Sequence, residues 1–153
     1  MSEKKNDVIL YSPKRGLEFT KLIIKKMPEV EWIPLQNLTQ QEMISLMQSS
    51  KLYVDFGNHP GKDRIPREAV INGCCIITGS QGSAKNEIDI NISREFKFEE
   101  IDSEIDEIVN KIQNILANYN TNYELLKNYR KKITLEHKKF SEDVAMAFKL
   151  LNN

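Results

Sequence analysis

The chain has 153 residues, 40% of them apolar and 29% charged, the size and make-up of one globular domain with a core of its own. Lysine plus arginine equals aspartate plus glutamate at 22 each, so the chain lacks the basic field on which non-specific nucleic-acid binding rests. No apolar run reaches the roughly 18 residues that span a bilayer, and the N-terminal segment lacks the apolar stretch of a signal peptide, so the expected location is cytoplasmic.

Residues 7–12 read as a first strand built on Val8, Ile9, Leu10 and Tyr11, followed by a turn at Pro13-Lys14-Arg15-Gly16. Residues 17–27 place Leu17, Phe19, Leu22, Ile23 and Met27 at helical spacing, and Pro28 ends that helix. A second strand covers 30–35. Thr39-Gln40-Gln41-Glu42 is a capping box that starts a second helix at Gln40, with Met43, Ile44, Leu46 and Met47 on its apolar face. A third strand covers 51–56. A loop rich in glycine, proline and charge then leads into a third helix, with Pro66 in its first turn and Gly73 as its C-cap. Residues 74–78 read as a fourth strand, 79–84 as a loop and 88–92 as a short fifth strand.

From Ile101 the pattern becomes helical. Ile101, Ile105, Ile108, Ile112, Ile115 and Leu116 recur at helical spacing, and Asp102, Glu104, Asp106 and Glu107 fill the first turns, where negative charge suits the helix dipole. Residues 118–122 read as a break, 123–140 as a helix and 141–151 as a last helix with Ser141 as its N-cap. Strands alternating with helices imply a parallel sheet with right-handed crossovers. The fold class is therefore α/β: a Rossmann-like, doubly wound sheet of about five or six strands over residues 1–100. The helical tail of residues 101–153 is expected to pack on the same domain. The near-continuous apolar runs of strands one, three and four suit strands covered on both faces.

Cys74 and Cys75 are the only cysteines and are adjacent. A bridge between them would be strained, and no histidine flanks them to suggest a metal site. Both read as buried thiols acting as small hydrophobes.

Candidate chemistry sits in the loops that follow strand ends, which a doubly wound sheet gathers at its carboxyl edge. The 12–16 loop offers Lys14 and Arg15 beside a glycine. It reads either as a solvated turn or as a phosphate grip, and it matches neither the G-x-G-x-x-G nor the P-loop pattern. The 57–68 stretch carries the stronger signal. Gly57 and Gly61 permit close backbone approach, and Pro60 stiffens the turn. Asn58, His59, Lys62, Arg64, Arg67 and Glu68 supply polar and charged groups just before or within a helix start, whose free amides suit an anion. His59 reads equally as an exposed imidazole or a working one. Gly82 and Ser83 offer small residues and free amides for a phosphate or sugar. No Ser-His-Asp set, metal cluster or isolated carboxylate pair emerges, so the chain presents ligand-binding material without a complete catalytic apparatus.

Read in order, these motifs resemble the C-terminal, donor-binding domain of GT-B glycosyltransferases of the retaining group 1/family 4 type. The resemblance covers residues 7–98. Tyr11-Ser12-Pro13-Lys14-Arg15-Gly16 looks like the family's first-strand turn. Asp55-Phe56-Gly57, Pro66-Arg67-Glu68-Ala69 and Asn72-Gly73-Cys74-Cys75-Ile76-Ile77-Thr78-Gly79 look like its EA-x-x-x-G-x-P-V-I segment. The resemblance implies that Lys14 and Arg15 touch a nucleotide diphosphate, that Glu68 holds the nucleoside ribose, and that Gly82-Ser83-Ala84 approaches the sugar or phosphates. It implies no metal and no cofactor, with the NDP-sugar as substrate. It also implies a place in pathways such as bacterial cell-surface polysaccharide synthesis. The family's first glutamate, which contacts the donor sugar, is replaced here by Pro60. The acceptor-binding half is not in this chain, so an N-terminal acceptor-binding domain or subunit is the implied partner, and alone the chain should bind a sugar nucleotide weakly and transfer nothing. The alternative reading is a non-catalytic interaction module on the same fold with a degenerate ligand site. A flavodoxin- or receiver-like domain ranks third, because Pro13-Lys14-Arg15 stands where a receiver needs acidic residues.

Overall fold

The computed structural model describes residues 4–57, 64–80, 92 and 94–151. Five parallel strands form one sheet: β1 (Asn6–Tyr11), β2 (Glu31–Pro34), β3 (Ser50–Asp55), β4 (Cys75–Gly79) and β5 (Lys97–Phe98). They stand in the order β2-β1-β3-β4-β5, so the sheet is Rossmann-like and doubly wound. This is the flavodoxin-type order; dinucleotide-binding sheets use 3-2-1-4-5-6 instead. Its order reverses between β1 and β3. The connecting helices are α1 (Leu17–Lys26), α2 (Gln40–Ser49) and α3 (Arg64–Ile71), and the chain continues into α4 (Ile105–Ala117), α5 (Tyr119–Leu125) and α6 (Lys127–Leu151). Right-handed crossovers put α1 on one face and α2 with α3 on the other, because β1 to β2 runs one way along the sheet and the later steps run back. Helix α4 then packs beside α1, and α6 beside α3. Each face thus has its own helical layer.

That double cover explains the strand sequences. Every residue of β4 is buried, as is all of β3 except half-buried Lys51, which is why both strands read as unbroken apolar runs rather than alternating ones. Local signals fixed several boundaries. Glu42 N–H donates to Thr39 Oγ1 at 3.1 Å and Thr39 N–H to Glu42 Oε1 at 3.2 Å, the reciprocal bonds of a capping box at the start of α2. Gly73 has φ +97°; its N–H donates to Val70 O, and Cys74 N–H donates to Ala69 O. That pair of bonds is the Schellman closure of α3.

Most of the expected fifth strand, 88–92, lies outside the described residues, Ile92 alone being described, and the fifth strand among the described residues is Lys97–Phe98. Two expectations differ from the fold. The Asn-rich break is a helix, α5, with the chain kinked only at Asn118. Its asparagines bond across helices instead of turning the chain: Asn122 Nδ2 donates to Asn114 Oδ1 at 2.9 Å, and Asn122 Oδ1 accepts from Lys111 Nζ at 3.0 Å. Finally, Ser141 caps nothing. It lies exposed within α6, which runs unbroken for 25 residues because no glycine or proline interrupts it. Helix α6 buries Tyr129 and Ile133 against the domain, whereas every described residue from His137 onward is exposed. Among the described residues no helix is long and apolar enough to cross a membrane.

Candidate functional site

The strand order reverses between β1 and β3, and a doubly wound sheet opens its ligand crevice beyond the carboxyl ends of the strands that flank such a reversal. Two loops meet there. Gly16, at the start of α1, has φ +60°, and a Cβ built on it would lie 2.5 Å from the Phe56 carbonyl carbon and 2.8 Å from Gly57 N. Gly57 has φ +102°, and its Cβ would lie 2.9 Å from Gly16 N and 3.0 Å from Arg15 Cβ. Both positions require glycine twice over, for a left-handed backbone and for a backbone-to-backbone approach. Phe19 of α1 packs edge-on against Phe56, ring centroids 5.0 Å apart, and holds the helix against this junction.

Arg15 is anchored in the same place. Its Nη2 donates to Asp55 Oδ2 at 3.1 Å, and Tyr53 Oη donates to the same oxygen at 2.6 Å. The Asp55 side chain is fully buried, while that of Arg15 keeps 28% exposure. A buried carboxylate is tolerable only when paired and hydrogen-bonded, so Asp55 fixes the guanidinium at the end of β3 while leaving part of it open to solvent. Asp55 is also in register with Thr78 of β4, and Thr78 with Lys97 of β5. A polar row therefore crosses three strands, from the end of β3 to the start of β5. Within it, Thr78 Oγ1 is buried with no hydrogen-bond partner among the described residues.

Gly57 N–H donates to the Glu100 carboxylate. The same carboxylate lies against Gly79 at the end of β4, where a Cβ would collide with it. Glu100 thus spans the ends of β3 and β4 and places an anionic oxygen on the amide at the strand-order reversal.

Glu68, in the second turn of α3, accepts from Arg64 Nε at 2.6 Å and lies 3.4 Å from Gln40 Nε2 at the start of α2. Arg67 is directed elsewhere: its Nη2 donates to Glu136 of α6. The surface between α3 and α6 holds a cleft of about 330 Å³ lined by Arg64, Arg67, Glu68, Ile71, Asn72 and His137.

The expected site residues therefore divide. Arg15 and Gly57 come together at the reversal. Arg64, Arg67 and Glu68 gather in the α3–α6 cleft, whose lining includes neither Arg15 nor Gly57. Lys14 is exposed on the 12–16 loop, where its N–H lies 3.4 Å from Ser12 Oγ. Asn58, His59, Gly61, Lys62, Gly82 and Ser83 lie outside the described residues. Reasoning from sequence missed Asp55, Glu100 and His137 as parts of these sites. Asp55 carried a usable signal, being an acid that ends an otherwise apolar strand run. Glu100 and His137 carried none, because only the fold brings them near.

Cys74 and Cys75 are free and buried. Burial pushes both thiols up to about 12, and for Cys75 the neighbouring Cys74 adds to the effect. Cys74 Sγ lies 3.2 Å from Met47 O and 3.4 Å from Ser50 O. Protonated thiols in such surroundings are inert packing groups.

A scan of protein-family models finds none that matches the chain, and a search of curated proteins finds no match.

Proposed function

We propose that this chain is the nucleotide-sugar-binding half of a GT-B-type glycosyltransferase, completed by an N-terminal acceptor-binding domain or subunit. The observation that carries the reading is the Gly57 amide. It sits at the strand-order reversal against the backbone of Arg15, whose guanidinium is 28% exposed, and it already binds an anionic oxygen, that of Glu100. An amide and a partly exposed guanidinium on adjoining loops suit one phosphate of a sugar-nucleotide diphosphate. Such groups also stabilise the leaving diphosphate without a metal. Glu68, oriented by Arg64 and Gln40, supplies a carboxylate for the hydroxyls of the nucleoside ribose. Pro60 in place of an acidic residue removes one expected contact to the donor sugar, so binding should depend on the nucleotide more than on its sugar.

The test is titration of the isotope-labelled chain with UDP-, GDP- and CMP-sugars while backbone amide signals are followed. Shifts at Arg15, Gly57 and Glu68 are expected with at least one nucleotide. No shift at these positions at millimolar ligand would overturn the reading.

A second reading, an interaction module without transferase chemistry, draws on one observation. Phe140, Val144, Phe148 and Leu151 form a stripe at helical spacing on α6, each more than half exposed. In that case the intact chain should self-associate or capture a partner through α6, and sugar nucleotides should leave the amide spectrum unchanged.

A further inference from the structure

Helix α6 separates charge from apolar surface along its length. It carries seven lysines and arginines against three acids. The whole chain carries 22 of each, so the rest of the chain holds 15 cations against 19 acids, and the basic excess belongs to α6. Six of its cations, Lys127, Arg130, Lys131, Lys132, Lys138 and Lys139, precede Phe140, with Glu136 the one acid among them. Glu136 is paired with Arg67 of α3. Beyond Lys139 the apolar residues take over. Phe140, Val144, Phe148 and Leu151 fall within a quarter turn of one another, Met146 and Leu150 widen that face, and all six are exposed. The face continues the one that docks α6 on the domain: buried Tyr129 and Ile133 lie eleven and seven residues before Phe140, close to whole turns of 3.6 residues. It therefore runs on past the domain for the roughly 21 Å from His137 to Leu151.

The charge decides between occupants of such a face. A second copy would lay α6 against α6, each helix with an excess of four positive charges, and like-charge repulsion opposes that. It would also leave Met146 and Leu150 outside a coiled-coil seam of two positions per heptad. A surface of acidic lipid headgroups accepts both features. A basic helix with phenylalanine and leucine on its apolar face has the composition of one that lies in the membrane interface. Lys132 and Lys139 stand about a quarter turn to one side of Phe140, where their long stems reach toward headgroups. Among the described residues no helix is apolar enough to cross a bilayer, so α6 would lie along the surface.

We propose that the exposed half of α6 docks this chain peripherally on an anionic membrane surface. Phe140, Val144, Phe148 and Leu151 enter the boundary between headgroups and acyl chains, and the lysines that precede and flank them meet the acidic headgroups. Neither signal suffices alone: the apolar stripe is short, and cations without it hold a protein only by salt-sensitive attraction. The docking is independent of any ligand at Arg15 and Gly57.

The experiment mixes the full chain with vesicles of phosphatidylcholine alone, or of phosphatidylcholine and phosphatidylglycerol in equal parts, and reads the bound fraction after centrifugation. Affinity for the mixed vesicles should exceed that for the neutral ones about tenfold or more, and should fall as salt is raised. Phe140→Ser/Phe148→Ser and Lys138→Glu/Lys139→Glu should each weaken binding to the mixed vesicles about tenfold or more. All four positions are exposed, so both variants should keep the parent's circular dichroism and urea midpoint. No binding to either vesicle, equal binding to both, or a phenylalanine variant that binds like the parent would overturn the proposal. A dimer in sedimentation equilibrium that the phenylalanine variant dissolves, in a chain indifferent to vesicles, would overturn it too and give the face to a second copy.

Discussion

Replacing Gly16 by alanine probes the junction on which the candidate site depends. The new Cβ would meet Phe56 C at 2.5 Å, Phe56 O at 2.6 Å and Gly57 N at 2.8 Å. All three atoms are backbone, so no flexible side chain can move aside, and either the β1–α1 turn or the end of β3 must shift. Overpacking of this kind costs about 1–3 kcal/mol. The left-handed φ of +60° adds about 1–2 kcal/mol for a residue with a Cβ. Together the loss is about 2–5 kcal/mol, roughly 5–15 °C in Tm for a chain of this size. Urea unfolding followed by circular dichroism measures it as a fall in midpoint at constant slope. Gly16→Asn separates the two causes. Asparagine tolerates a left-handed backbone far better yet carries the same Cβ, so it should recover only the strain component. A Gly16→Ala variant within about 0.5 kcal/mol of the parent, the range of ordinary surface changes, would refute the close approach of the two loops.

Two further outcomes follow from buried groups. Asp55→Ala leaves the Arg15 guanidinium and the Tyr53 hydroxyl without their shared acceptor; the cost of breaking such a buried pair is about 3–5 kcal/mol, reduced here to about 2–3 because Arg15 is partly open to solvent. A urea-midpoint change worth under 1 kcal/mol would show that the trio does not hold the end of β3. The thiols set a pH dependence. In the unfolded chain they ionise near pH 8.5, whereas the fold keeps them protonated to about 12. Above roughly pH 9 the unfolded state therefore binds fewer protons, so this contribution to stability is full below that pH and is lost progressively toward 12. A Cys74→Ala/Cys75→Ala variant should lose less stability than the parent between pH 8 and 10.5, and parallel losses would contradict the assignment.

The parts of the fold legible in the sequence were those encoded locally. The Thr39–Glu42 box and the Gly73 closure each involve residues a few positions apart, and both appear with the bonds their sequence implies. Strand runs such as 52–56 were legible because both faces are covered, leaving no alternation to confuse with a helix. The misreadings were conflicts between two local preferences. Serine favours caps, so Ser141 suggested a helix start, but the surrounding residues are good helix formers and the helix continues. Asparagine favours turns, yet Asn122 is buried and its amide is used between helices. The site was half legible for a different reason. Arg15 and Gly57 follow strands that the topology places side by side, so strand ends alone brought them together. The partners that decide what each charge does lie far along the chain: Glu100 is 43 residues from Gly57, and Glu136 is 69 residues from Arg67. No local pattern could announce them.

Glu100 has a consequence for any affinity measured on this chain. Its carboxylate is a tethered competitor, covalently part of the molecule and therefore at an effective concentration set by the chain rather than by the experimenter. On the proposed reading an incoming phosphate must displace it from the Gly57 amide, and if the tethered oxygen holds that amide nine-tenths of the time, the observed dissociation constant is about tenfold weaker than that of the vacated amide. On that reading, truncating the Glu100 side chain tightens phosphate binding by the same factor, so the resting contact tunes the ligand concentration at which the site fills.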